Sequence, residues 1–144
     1  MNILVSACLL GVACRYDGTG GLLPILEEVK ERHHLIPVCP EAFGGLPTPR
    51  PPAEIIDGKV MNAEGTFVTD QYEKGAREIL KLARFFHCEA AILKERSPAC
   101  GFGKIHNGLF DGGLVDGNGV LAELLSREGL LIIGESETDK IACL

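Results

Sequence analysis

Three short apolar runs in this chain each lead to a cysteine, and this recurrence constrains the fold more than any other feature. Asn2-Ile-Leu-Val5 leads to Cys8, Leu35-Ile-Pro-Val38 to Cys39-Pro-Glu41, and Ala90-Ala-Ile-Leu93, through Lys94-Glu-Arg-Ser97, to Cys100-Gly101. Apolar runs this short, bounded by turn residues, read as strands buried on both faces of a sheet. In an open α/β sheet, ligands bind in the crevice beyond the carboxyl ends of the strands. The pattern therefore predicts one site holding Cys8, Cys39 and Cys100, assembled from three distant parts of the chain.

The segments between these runs predict the rest. Strand one covers residues 2–6, and a loop follows to residue 20. A helix is expected over 22–33, with Leu22, Leu23, Leu26 and Val29 on one face and Pro24 in the first turn. His33 and His34 close it as a solvated pair. Strand two covers 35–38. Five prolines and two glycines between Cys39 and Pro52 predict a stiff loop, neither helix nor inner strand. Asp57-Gly58 is a strong hairpin signal inside 54–68, and the hairpin reads as an insertion that covers the site. Thr69 and Asp70 offer N-cap chemistry for a helix over 71–86. Cys88 follows it as a small buried hydrophobe. Strand three covers 90–93, a glycine-rich loop 94–119, a helix 120–128 and strand four 130–133, and the tail with Cys143 is expected to fray. Strands alternating with helices predict a doubly wound, mostly parallel sheet, Rossmann-like or flavodoxin-like, with an inserted β-hairpin. At 144 residues the chain reads as a single α/β domain over 1–144.

Composition matters chiefly for what it excludes. The net charge of −6 argues against a nucleic-acid backbone as partner, which calls for a basic face. No stretch has the length of a membrane span. The first residues lack a basic segment and a long apolar run, so a secretory leader is not expected and the protein is placed in the cytoplasm. Thiols stay reduced there. The six cysteines accordingly read as a metal-binding or reactive set rather than a disulfide framework.

Nucleotide loops fail on inspection. Gly18-Thr-Gly20 lacks the third glycine of a dinucleotide fingerprint, and Gly103-Lys104 has Ile105 where a phosphate loop needs Ser or Thr. Structural zinc prefers closely spaced cysteine pairs, and no Cys-x-x-Cys occurs. A four-cysteine site that adds Cys14 remains open, as do inert or redox-active thiols. Iron–sulfur clusters accept thiolates scattered along a chain, and a [4Fe–4S] cube on three cysteines leaves one iron open as a Lewis acid. Glu41 and Ser97 stand close in sequence to Cys39 and Cys100. Glu41 reads as a proton carrier or as a plain surface acid, and Ser97 as a hydroxyl donor or as a cap before Pro98. Arg15 and Arg50 read as holders of an anionic group or as loop staples.

Ser6-Ala-Cys-Leu-Leu-Gly11, Cys14-Arg-Tyr-Asp-Gly18, Cys39-Pro-Glu41, the run from Gly44 to Pro52, and Lys94-Glu-Arg-Ser-Pro-Ala-Cys-Gly101 together resemble the domain-of-unknown-function 523 family. The resemblance spans nearly the whole chain in order. Its members include bacterial thiouracil desulfidases, which remove sulfur from a thiolated pyrimidine with a [4Fe–4S] cluster on three cysteines. The resemblance implies Cys8, Cys39 and Cys100 as cluster ligands, Glu41 and Ser97 as catalytic groups, and Cys14 outside the ligand set. It further implies a small-molecule thio-substrate whose sulfur meets the open iron, and sulfide as product. The rival expectations are a non-catalytic metal-binding module and a thiol-redox sulfur carrier in which Cys8 pairs with Cys14.

Overall fold

The computed structural model describes residues 1–144. Four parallel strands form the central sheet: β1 (Asn2–Ser6), β2 (His34–Val38), β5 (Ala90–Leu93) and β8 (Leu131–Gly134), in the order β2-β1-β5-β8. Taken by sheet strand alone, this is the flavodoxin-like order, and the winding direction reverses between β1 and β5. The register runs from Asn2↔His34 to Ser6↔Val38 on one side of β1, and Val5 pairs with Ile92 on the other. The carboxyl ends of three strands are thus level, and Cys8, Cys39 and the loop carrying Cys100 leave from one edge.

Alternation along each strand divides the core in two. Leu4, Ala91, Leu93 and Ile132 face α3 (Thr69–Phe85) and α4 (Val120–Arg127), where they meet Tyr72, Ala76, Ile79, Leu121 and Leu125. Ile3, Val5, Ala90, Ile92 and Ile133 face the other way, onto Leu26, Val29 and Ile141. Those last residues belong to α1 (Leu26–Val29) and α5 (Thr138–Ala142). Helices therefore cover both faces, as a parallel sheet requires. No helix is long and apolar enough to cross a membrane.

Several sequence expectations need correction. The helix over 22–33 contracts to α1, because Gly21 and Leu23 donate their N–H groups to the carbonyls of Cys8 and Leu9 and are held extended against the short 3₁₀ turn Ala7–Leu10. The proline-rich stretch does contain a helical turn, α2 (Pro40–Phe43): Pro40 occupies the first turn, where its missing N–H costs nothing, and the other prolines come after Gly45. Helix α3 begins at Thr69 without a side-chain cap, since the Thr69 hydroxyl instead accepts the Val60 N–H at 2.9 Å. The tail does not fray: α5 docks with Ile141 fully buried, and Arg32 donates to the Ala142 and Leu144 carbonyls.

Two antiparallel hairpins stand outside the sheet. β3 (Ala53–Ile56) and β4 (Lys59–Asn62) meet as expected through Asp57 (φ 49°) and Gly58 (φ 77°), the paired positive angles of a tight hairpin turn. The second, β6 (Lys104–His106) with β7 (Leu114–Asp116), lies inside what reads from sequence as a loop.

Candidate functional site

Beyond the carboxyl ends of β1, β2 and β5 lies a cavity of about 660 Å³, within the range of small-molecule sites, roughly 300–1,000 Å³. Cys8, Cys39 and Cys100 all line it, and so do Cys14, Glu41 and Ser97. All six cysteines are free thiols. Cys8, Cys39 and Cys100 are buried, Cys14 and Cys88 half-buried, and Cys143 exposed. The position of Cys88 beyond α3, against the core edge, suits its expected role as a small hydrophobe.

Each ligand candidate is delivered by a different local device. Cys8 lies in the 3₁₀ turn closing β1, and Cys39 immediately precedes α2. The chain after β5 is anchored where Ser6 Oγ accepts the Lys94 N–H at 2.9 Å. Ser97 Oγ then accepts the N–H of Cys100 at 2.7 Å and of Ala99 at 3.3 Å. Ser97 is thus a cap, and it also lines the cavity. Arg96, just before it, has φ 70°, a left-handed angle uncommon for any residue that carries a Cβ and a sign of local constraint.

Arg50 takes the staple role. Its side chain is 5% exposed. Nη2 donates to Glu41 Oε2 and to the Cys14 carbonyl, both at 2.9 Å, and Nη1 to Thr48 Oγ1 at 3.0 Å and the Pro47 carbonyl at 3.3 Å. It therefore joins the Cys14 loop to the α2 turn and is not free to hold a substrate anion. Glu41 keeps one oxygen, Oε1, buried and without a partner. The Nε of Arg15 and the Nδ1 of His106, both on residues of the cavity wall, are likewise buried and unpaired.

Electrostatics follow from burial. Desolvation pushes the Glu41 carboxyl up, against the lowering pull of Arg50. Burial raises Cys8, opposed by Arg15 and Lys94. Cys100 stands well above the ordinary thiol value through burial and the Glu41 charge, while Ser6 pulls it back. Cys14 is pushed up to about 12 by burial and then by Cys39. The buried Tyr72 phenol is raised too, so it stays a neutral hydroxyl at the cavity wall.

Burial thus favours the protonated thiol at Cys8 and Cys100, and a metal bound there would deprotonate them, since a coordinated thiol is deprotonated outright. No three His, Cys, Asp or Glu side chains converge on one point as the ligands of a single zinc ion would. A cubane cluster takes each thiolate at a different iron and needs no such convergence. Three thiols, two nearby cations to offset thiolate charge, and a cavity above them fit a cluster of that kind.

Sequence reasoning missed Glu54, Tyr72, His106 and Phe110 as cavity residues. Within the glycine-rich loop, Asp111-Gly-Gly113 is the turn signal that points to the second hairpin.

A doubly wound parallel sheet with a thiol-lined cavity at its switch point defines an α/β protein built to hold a thiolate-ligated group. The chain belongs to the 2-thiouracil desulfurase family, whose model matches residues 3–137. It is 41% identical over 149 aligned positions to the uncharacterized protein YbbK of Bacillus subtilis (strain 168), covering 96% of this chain and 99% of that one. Among solved structures it is similar to the [4Fe-4S]-dependent thiouracil desulfidase TudS, with a TM-score of 0.88 and 39% identity over 99% of this chain and 95% of the other.

Proposed function

We propose that the protein is a [4Fe–4S]-dependent desulfidase, acting as one α/β domain in the cytoplasm, that converts a thiolated nucleobase such as thiouracil to the carbonyl compound and sulfide. The observation that supports this most is the meeting of Cys8, Cys39 and Cys100 in one cavity with Glu41, inside a chain of this family. When bound, a cubane held by these three thiolates supplies an open iron, a Lewis acid for the substrate sulfur.

The chain's own residues supply the rest. Glu41 is held at Oε2 by Arg50 and has Oε1 free, so it takes a proton from water entering at the thio-carbonyl carbon and returns it to the departing sulfur. Ser97 keeps its oxygen on the Cys100 N–H and offers its proton to charge developing on the substrate. Tyr72 and the apolar wall limit water. One water is consumed and one sulfide released, with no net electron transfer, so no redox partner is required.

The test is iron and acid-labile sulfide after anaerobic reconstitution, followed by sulfide release from thiouracil. About four of each per chain, with turnover, is the expected result. Cys8→Ser, Cys39→Ser and Cys100→Ser each lose the cluster, Cys14→Ser keeps it, and Glu41→Gln keeps it while losing turnover. A colourless Cys39→Ser protein with full activity would sink the reading.

A further inference from the structure

The two hairpins outside the parallel sheet meet at the wall of the cavity, and one buried carboxylate joins them. Glu54, on β3, is 8% exposed and lines the cavity. Its Oε1 accepts the backbone N–H of Gly108 at 2.9 Å and of Phe110 at 3.2 Å. No lysine or arginine pairs with it. Withdrawing a carboxylate from water is costly unless hydrogen bonds replace the lost hydration, and here the tip of the β6–β7 hairpin supplies them.

That tip is constrained. Gly108 has φ 87°, and a Cβ there would lie 2.8 Å from the Ile55 carbonyl oxygen, so the loop presses directly on β3. Phe110 has φ 54°, a left-handed angle that a bulky residue keeps only when its surroundings impose it. The Phe110 ring belongs to neither half of the core. It remains 39% exposed and lines the cavity. Strain and a buried charge thus converge on placing one aromatic ring at the cavity wall.

We propose that Phe110 is the wall on which the substrate ring stacks, that Glu54 is its positioning residue, and that the site selects a flat heterocyclic thioamide over an open-chain thio-carbonyl compound. The choice of substrate class rests on the desulfidase reading. An aromatic face recognises any planar base by its π-surface and contributes nothing comparable for a small acyclic ligand.

The test compares reconstituted wild type with Phe110→Ala, Phe110→Tyr, Glu54→Ala and Glu54→Gln, using 2-thiouracil and thioacetamide as substrates. It adds equilibrium binding of 2-thiouracil to the cluster-free wild type and Phe110→Ala. Phe110→Ala is expected to raise KM for 2-thiouracil about tenfold, with kcat within about twofold and iron and sulfide content unchanged. Phe110→Tyr retains the wild-type KM. Glu54→Ala reproduces the Phe110→Ala effect, and Glu54→Gln rescues most of it, because its amide oxygen still accepts the two N–H groups. Wild type prefers 2-thiouracil to thioacetamide, and Phe110→Ala narrows that preference. An unchanged KM in Phe110→Ala, with wild type turning over 2-thiouracil, overturns the wall and leaves the desulfidase reading standing. If wild type releases no sulfide, binding decides: weaker binding in Phe110→Ala keeps the wall while the desulfidase reading falls. Equal or absent binding in both proteins overturns the wall as well.

Discussion

Arg50 holds a charge almost wholly out of water and meets it with four hydrogen bonds, one of them to Glu41. The pair is exposed by 5% and 15%, so it differs in kind from surface pairs such as Lys81–Glu78 at 70% and 41%. Removing one member of a buried pair leaves the other uncompensated, at a cost of about 3–5 kcal/mol. Arg50→Ala is therefore expected to lower the unfolding free energy by about that amount, measured by urea titration. Arg50→Lys recovers part of it, since an ammonium keeps the charge but not the planar fork that reaches both Glu41 and the Cys14 carbonyl. A loss below about 1 kcal/mol in Arg50→Ala would place the pair with exposed ones. The same variant frees Glu41, so kcat falls further than iron content does.

Helix α2 carries Glu41, and it sits where it does because two glycines allow it to touch α3. A Cβ on Gly75 would lie 1.8 Å from the Pro40 carbonyl oxygen, and one on Gly44 would lie 1.9 Å from that of Gln71. In an open helix, Gly to Ala stabilises by roughly 1 kcal/mol. Here the contact is with backbone, which cannot rotate away, and steric overlap wins. Gly75→Ala is expected to destabilise by about 1–3 kcal/mol in urea titration and to weaken cluster retention by displacing Cys39. The second hairpin has a milder dependence. Asp111 accepts the Gly113 N–H and an Asn107 amide proton, and both bonds hold its carboxyl below the usual aspartate range. A carboxyl lowered in the folded state contributes stability that is whole above its unfolded value, about 3.9, and is lost as pH falls through the folded one. Amide exchange at Gly113 should therefore quicken, relative to its intrinsic rate, only below that range. No such change, followed by NMR, would mean that Asp111 does not order the loop.

Across the whole molecule, both faces of the sheet must be covered, and the second face depends on α5. Ile141 is fully buried there, among Ile3, Val5, Ile92 and Ile133. Ile141→Ala is expected to cost about 2–5 kcal/mol by calorimetry or denaturant titration, with cluster stoichiometry intact in the folded fraction. A near-neutral change would return the tail to the frayed state that its sequence suggests. That tail reads as frayed because Thr138–Ala142 is too short to carry a helical period, and only the uncovered sheet behind it makes its one large apolar residue decisive. The same division runs through the protein. The amino-acid sequence by itself determined the three strands that lead to Cys8, Cys39 and Cys100, the Asp57-Gly58 hairpin and the long helix α3. Strand propensity, turn conformation and amphipathic period are properties of a few neighbouring residues. Tertiary structure alone decided the strand order, the shortening of α1 by bonds to Cys8 and Leu9, the Arg50–Glu41 pair and the Glu54 bridge to Phe110. Each of these joins groups distant in sequence, and a charge or an N–H carries no mark of its partner until the chain has folded around both.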